Sequence, residues 1–230
     1  MMKALFAGAG ALALAAAANA NFHGIAVNES KVGSNCVVDV YATFDANPNG
    51  AVDVLLNVFN VTASIDGGFG TLIHNDFVGG TWAPQFSNNP ALDTFCVIGG
   101  DANFGNSTNA DPNWGAAGFN QIPIPNLAGW FNSNPPNLQG KAAAVNLFNK
   151  KGENTWNGLA TRIMRLVFVN PDPAGKGFSI SGSYTNNKGL GTPAEQGSFS
   201  FSAPLCSVPA PGALALLGLA GLAGGRRRRA

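Results

Sequence analysis

The stretch Val-Asp-Val-Leu-Leu-Asn-Val-Phe-Asn-Val-Thr-Ala, residues 52–63, decides the fold of this chain. Apolar and β-branched residues dominate it, which is typical of a strand packed into a sheet. Its apolar residues cannot all lie on one face, because successive side chains of a strand point to opposite faces. We therefore expect a β-bulge or bend near Phe59 and Asn60.

Five further segments have the strand pattern. They are residues 37–44 (VVDVYATF), 94–98 (TFCVI), 162–169 (RIMRLVFV), 178–184 (FSISGSY) and 198–203 (SFSFSA). Apolar and small residues alternate in the last two segments. This alternation predicts that Phe178, Ile180 and Tyr184 point inward, together with Phe199 and Phe201.

The connections between these segments are rich in Gly, Asn, Asp and Pro, the residues that favour turns. Segment 99–136 is long for a loop in a compact domain, so it is either a functional loop or contains a further strand. Only residues 141–150 have weak helical spacing. The whole pattern predicts an all-β body, an antiparallel β-sandwich of the jelly-roll or immunoglobulin/cohesin-like kind with long loops.

Residues 1–20 have the parts of a secretory signal peptide. Lys3 supplies the basic start, residues 4–18 are almost entirely Ala, Leu, Gly and Phe, and Ala18 and Ala20 are the small residues before a cut. The apolar run is shorter than the about 20 residues that a membrane-spanning helix needs. We predict cleavage after Ala20 and export of the body, residues 21–207, through the secretion translocon.

The C-terminal tail, residues 208–230, also has three parts in a fixed order. Residues 212–225 contain only Gly, Ala and Leu, and as a helix they would reach about 21 Å, short of a hydrocarbon core of about 30 Å without local thinning. The arginines that follow would stay on the cytoplasmic side, which leaves the body outside. The flanking parts are Val208, Pro209, Ala210 and Pro211 before the apolar run and Arg226, Arg227, Arg228 and Arg229 after it.

This tail resembles the PEP-CTERM sorting signal of bacterial exosortase substrates, in which a VPEP-type motif precedes an apolar helix and a basic cluster. The family usually has Glu at the position of Ala210, so the motif here is a VPAP variant. Residues 55–59 (LLNVF) and 129–136 (GWFNSNPP) are also similar to segments of uncharacterised PEP-CTERM proteins of planctomycete-type bacteria. The resemblance implies an inner-membrane intermediate, cleavage near residues 208–211 by an exosortase-type membrane enzyme, and residence at the cell surface or in the extracellular matrix.

The charge distribution argues against a nucleic-acid partner. Only 11% of the residues are charged, and five of the thirteen basic residues lie in the two terminal segments. The body keeps eight basic residues against twelve acidic ones, a net charge of about −4. Its basic residues are scattered, so they form no electrostatic footprint for a phosphate backbone.

Three cysteines, Cys36, Cys96 and Cys206, invite a disulfide in an exported protein. Cys36 precedes one predicted strand and Cys96 lies in another, so we predict a bridge between these two. Cys206 is an alternative partner for either cysteine, or a site for a bond to another chain. Buried reduced thiols are the remaining alternative.

Catalytic and metal motifs are missing from the sequence. The two histidines, His23 and His74, have no cysteine at ligand spacing, and there is no GxSxG, HExxH or P-loop pattern. We therefore predict no enzyme activity, no metal and no cofactor. Calcium at the oxygen-rich residues 101–111 (DANFGNSTNAD) is an alternative, although this segment lacks the EF-hand order and its final Glu.

The four tryptophans, Trp82, Trp114, Trp130 and Trp156, fall in segments that we predict to be loops. Exposed rings flanked by Asn can stack on sugars, and Trp114 and Trp130 form the best candidate pair for an extracellular polysaccharide. The other interpretation is that the rings close the ends of the fold. We expect a structural or interaction protein, with a carbohydrate-binding module as the alternative.

Overall fold

The structure is a computed structural model of the chain. It describes residues 22–46, 52–66, 72–73, 92–99, 108–110, 127–149, 152–169, 176–189 and 191–205. These residues form ten strands: β1 (Phe22–Val32), β2 (Asn35–Phe44), β3 (Val54–Ile65), β4 (Phe95–Cys96), β5 (Thr108–Ala110), β6 (Ala128–Asn132), β7 (Ala143–Phe148), β8 (Asn154–Phe168), β9 (Lys176–Asn187) and β10 (Ala194–Leu205). A 3-10 turn lies at Pro135–Asn137. The all-β prediction is confirmed.

The strands form two five-stranded antiparallel sheets. In the first sheet the order is β1-β2-β8-β4, and β7 also pairs with β8. In the second sheet the order is β10-β9-β3-β6-β5. Neighbouring strands in chain order, such as β1 and β2 or β9 and β10, are joined as hairpins, which antiparallel pairing allows.

One hydrophobic core contains residues from both sheets. The first sheet contributes alternate residues of β2, including Val38 and Val40, and the second contributes Leu55 of β3 and Ile180 of β9. The indole of Trp130, from β6, donates a hydrogen bond of 3.1 Å to the carbonyl oxygen of Val97, beside β4. This bond ties the second sheet to the first within the apolar interior.

Alternating sequence patterns predict several strands correctly. The predicted segments at residues 37–44, 52–63, 94–98, 178–184 and 198–203 fall on β2, β3, β4, β9 and β10. Phe178, Ile180, Tyr184 and Phe199 are buried as expected, and Phe201 is partly buried against the core.

The bulge predicted in β3 is also present. The register of β3 shifts between Phe59 and Thr62 against β9, and between Val58 and Val61 against β6. Asn60 has a φ of 52°, in the left-handed region, and is exposed. Val58 and Val61 both reach the core because this irregularity changes the alternation between them.

Other segments differ from the sequence-based expectation. Residues 141–150 are not helical: they contain β7, whose backbone pairs with the first half of β8. The long segment 99–136 contains both β5 and β6. The pattern also missed β1 and the part of β8 before Arg162, where Gly, Asn and Thr interrupt the apolar alternation.

Two substitutions test the effect of the left-handed conformation of Asn60 on stability. Asn60→Gly should change the free energy of unfolding little, because Gly accepts this conformation. Asn60→Val should destabilise the protein by about 1–2 kcal/mol, because a β-branched residue does not. Chemical denaturation measures both, and Ser64→Val at an exposed position of the same strand is the control, expected within about 0.5 kcal/mol of the wild type. Equal losses for both valine variants would contradict this.

Candidate functional site

The face of the first sheet opposite the core carries an organised row of polar side chains. In β2, Val38, Val40 and Ala42 belong to the core, so Asp39 and Tyr41 lie on the other face, which we call the outer face. Asp39 is opposite Asn28 in β1 and Arg165 in β8, and Arg165 is opposite Phe95 in β4. The register therefore aligns one residue from each of four strands.

A fork-shaped ion pair forms the centre of this row. The Nε and Nη2 atoms of Arg165 donate to the two carboxylate oxygens of Asp39 at 2.7 Å and 2.9 Å. Arg162 approaches the same carboxylate with Nη1 at 3.6 Å. The side chains of Asp39, Arg162 and Arg165 keep only 8%, 10% and 16% of their surface exposed. Two-point pairing of this kind fixes the orientation of the guanidinium as well as its charge.

Phe95 lies beneath both arginines. The guanidinium carbons of Arg162 and Arg165 lie 5.5 Å and 5.6 Å from the centre of its ring, within the range of cation–π attraction. Phe95 is fully buried and forms, with Val97, a small apolar cluster apart from the main core. The ring thus supports both arginine side chains in fixed positions.

A bulge in β8 brings the two arginines to one face. Residues three apart in a regular strand point to opposite faces. In β2, Val40 pairs with Met164, but the next residue, Tyr41, pairs with Arg162. Ile163 therefore has no partner in the register between β2 and β8. Ile163 and Met164 therefore both belong to the core, and Arg162 joins Arg165 on the outer face.

Beside Arg162, the outer face opens into a groove of about 280 Å³. Its described lining combines an aromatic ring, two cations, polar side chains and small residues: Tyr41, Gly99, Gln139, Lys141, Ala143, Val145, Ala160, Thr161 and Arg162. Lys141 and Ala143 are exposed, so this side of the groove faces solvent. Two cations and no carboxylate are present among these described lining residues.

Close backbone contacts shape the floor of the groove. Gly99 has a φ of 79°, and a Cβ atom there would lie 1.8 Å from the carbonyl oxygen of Gln139, so only glycine fits. Its N–H donates to the carbonyl oxygen of Arg162 at 2.8 Å. The hydroxyl of Thr161 donates to the carbonyl oxygen of Gly140 at 3.2 Å. These contacts join the segment before β7 to β8, so the groove is built on strands and short turns.

The sequence pointed to other residues, and the predicted Cys36–Cys96 bridge is wrong. Cys36 is disulfide-bonded, whereas Cys96 is a free, buried thiol. Cys36 lies opposite Phe168 from one side of β8, and Cys96 lies opposite Met164 from the other side. Two strand spacings of about 10 Å in total and four residue steps of about 13 Å separate them. A disulfide needs Cα atoms within about 7 Å.

The cysteine that remains as a partner for Cys36 is Cys206, which lies outside the described residues. The strand register is compatible with this pairing. Leu205, the last residue of β10, is opposite Lys176 at the start of β9, and a short connection joins Lys176 to Phe168, the partner of Cys36. The end of β10 and the start of β2 thus fall at the same end of the two sheets.

Peptide mapping without reduction should therefore find Cys36 linked to Cys206. Alkylation should reach Cys96 only after unfolding, since burial raises the pKa of its thiol and the thiolate is the reactive form. Cys206→Ser should lower the free energy of unfolding by about 2–5 kcal/mol, because it releases a long closed loop. Cys96→Ala is the control and should keep the linked peptide pair. A free Cys206 in unreduced protein would overturn the assignment.

The tryptophan pair predicted for sugar binding is not available as a stacking surface. Trp130 lies in β6 and is only 2% exposed, so its ring is part of the core. Trp156 lies in β8, with its indole donating to the carbonyl oxygen of Leu159 at 3.1 Å, so the expectation that all four tryptophans lie in loops is wrong. Trp114 lies outside the described residues.

Trp130→Ala should lower the free energy of unfolding by about 3–5 kcal/mol, the range for removing a large buried aromatic side chain. The loss includes the hydrogen bond to Val97. Phe131 is the control, because it is the next residue of the same strand and is 36% exposed. Phe131→Ala should cost less than about 1.5 kcal/mol by thermal or chemical denaturation. A stable Trp130→Ala protein would show that the ring is not structural.

The remaining predicted sites lie outside the described residues. They are Ala18 and Ala20, the VPAP motif at residues 208–211, the arginines at 226–229 and most of the oxygen-rich segment 101–111. Within the described part of the chain, no helix is long and apolar enough to cross a membrane, and no three His, Cys, Asp or Glu side chains group to hold a metal ion.

Sequence reasoning missed the outer-face groove. The signal for it was the presence of Arg162 and Arg165 within the apolar segment RIMRLVFV, where charged residues need a partner. In comparisons with known proteins, neither a family model, nor a curated protein, nor a solved structure matches this chain.

Proposed function

We propose that this chain is an exported structural or interaction protein of the cell surface or extracellular matrix. The observation that carries the proposal is the disulfide at Cys36, a fully buried residue at the start of β2. Disulfides persist in oxidising surroundings and are rare in the cytosol. This bond agrees with the secretory signal in residues 1–20 and with residence of the body outside the cell.

We also propose that the body is a β-sandwich. Two antiparallel sheets that share one core support this architecture, because each sheet buries one face against the other. The hydrogen bond from Trp130 to Val97 joins the two sheets inside the core. A framework of this kind presents a rigid outer face to a partner without needing a moving part.

The tail supports a specific route to that location. In this proposal the translocon exports the body, and residues 212–225 hold it in the inner membrane with Arg226–229 on the cytoplasmic side. An exosortase-type enzyme then cleaves near the VPAP motif, as the PEP-CTERM resemblance implies. The role of the released body is non-catalytic.

A carbohydrate-binding module remains the alternative function, but on different residues. The burial of Trp130 removes the best member of the tryptophan pair. An aromatic side chain, two cations and an amide are among the residues that line the groove beside Arg162. Polysaccharide recognition at this groove is compatible with the surface or matrix role.

Replacing Arg226, Arg227, Arg228 and Arg229 by Ala tests the sorting route. The variant should lose its processed form and be mis-sorted, because the cytoplasmic charges set the orientation and retention of the tail. Immunoblotting of membrane, surface and medium fractions measures this. Lys150→Ala/Lys151→Ala removes adjacent basic residues from the body and is the control, which should be processed normally. Normal processing of the tetra-alanine variant would overturn the route.

A further inference from the structure

We infer that a group of oxygen-bearing side chains at one end of the second sheet binds a calcium ion. The group comes from three neighbouring strands: Asp53 precedes β3, Asn186 lies in β9 and Glu195 lies in β10. Two of these ligands are carboxylates, which is compatible with the finding that no three His, Cys, Asp or Glu side chains group together in the described residues. The site is separate from the oxygen-rich segment 101–111 and does not depend on the export route.

The strand register brings these side chains together on the inner face of the sheet. Asn186 is opposite Leu55 of β3 on one side and Glu195 of β10 on the other. Leu55 belongs to the core, and residues directly opposite each other point to the same face, so Asn186 and Glu195 point inward. Asp53 accepts a hydrogen bond of 2.6 Å from Nδ2 of Asn186. A carboxylate thus lies on either side of the Asn186 amide.

Two acceptor oxygens of this group, Oδ1 of Asn186 and Oε2 of Glu195, are buried and receive no hydrogen bond from the described part of the chain. Asn186 is fully buried, and its bond to Asp53 fixes the amide orientation, because only the NH₂ group can donate to a carboxylate. The other carboxylate oxygen of Glu195 forms an ion pair of 3.0 Å with Nζ of Lys188. Buried polar atoms nearly always have a partner, so two buried acceptors without a donor point to a cation that they bind.

The hydroxyl of Tyr184 adds a further oxygen to this region. Tyr184 is opposite Gly197 in β10, and a Cβ atom at Gly197 would lie 2.4 Å from that hydroxyl, so the ring lies across the glycine. Burial raises the pKa of Tyr184, and the negative charges of Glu195 and Asp53 raise it further, so both carboxylates lie near this ring. Phe22 stacks on the ring with centres 3.9 Å apart, which holds it in place.

Charge and ligand chemistry favour calcium. Asp53 and Glu195 carry two negative charges, of which Lys188 balances one, and Asp53 is fully buried. Buried charge is costly unless it is balanced, and a bound cation balances it. Ca²⁺ binds about six to eight oxygens of carboxylates, carbonyls and water with flexible geometry, whereas Mg²⁺ requires a nearly ideal octahedron. The hydrogen bond that Asp53 accepts is compatible with ligation, because ligating carboxylates are usually hydrogen-bonded as well.

Calorimetric titration with calcium tests the inference on the exported protein, isolated from cells and treated with EDTA. Calcium should bind saturably, with one ion per chain. At about 100 times its Kd, calcium should raise the Tm by about 5–10 °C, because it binds only the folded state. Magnesium should bind more weakly than calcium.

Two variants should change calcium affinity in opposite directions. Glu195→Gln should weaken binding by about tenfold or more, because it removes a ligand charge and keeps the side-chain size. Lys188→Gln should strengthen binding by about threefold or more, because it removes a cation beside the site. The side chains of Lys188 and Glu195 are 24% and 21% exposed, so both variants are expected to fold, which a thermal melt without calcium verifies.

Asp66→Asn is the matched control. It also removes one carboxylate charge, but Asp66 is exposed and lies just beyond the far end of β3. Its distance from Asp53 along the strand is about 30 Å or more, well beyond the screening length of about 8 Å at physiological salt. The Kd of this variant should stay within about twofold of the wild type.

Three results would overturn the inference: no calcium binding by the wild type, equal weakening by Glu195→Gln and Asp66→Asn, or binding that neither Glu195→Gln nor Lys188→Gln changes. The last result would place the calcium elsewhere, as in segment 101–111. If the melt shows that Glu195→Gln is unfolded, Lys188→Gln decides: stronger binding supports the site, and unchanged or weaker binding overturns it.

Discussion

Backbone pairing along both edges of β8 is the constraint on which the first sheet depends. β2 bonds one edge over most of its length, while β4 and β7 follow each other along the other edge. The outer-face site uses all of these strands: Asp39 and Tyr41 come from β2, the arginines from β8, Phe95 from β4, and the groove ends at β7. A shift of β8 by one residue would exchange its core and outer residues.

The local sequence pattern predicted those strands in which apolar residues recur with the two-residue period of a strand. Phe178, Ile180 and Tyr184 are spaced by two and four residues, so a strand places them on the same face, and all three are buried in the core. In β3 the apolar residues cannot all lie on one face of a regular strand. This conflict predicted the bulge that the structure shows at Asn60. A conflict with periodicity was therefore as informative as agreement.

Long-range pairing set the features that the sequence could not predict. The bulge at Ile163 depends on the register between β2 and β8, and without it Arg162 and Arg165 would face opposite sides. The cysteine partner of Cys36 also depends on strand order, because β8 lies between the strands that carry Cys36 and Cys96 and keeps these residues apart. Residues 141–150 have weak helical spacing, but pairing with β8 satisfies the backbone of β7. In each case a distant strand outweighed the local preference.

The position of Phe22 has a consequence for the order in which the chain folds. This first residue of β1 stacks on Tyr184 of β9 with ring centres 3.9 Å apart, and also lies against Phe199 of β10. The first described strand of the chain thus completes its packing only with the last two described strands. Contacts so distant in sequence slow folding. Until β9 and β10 are in place, the apolar side chains of β1 stay uncovered, a state that promotes aggregation during folding.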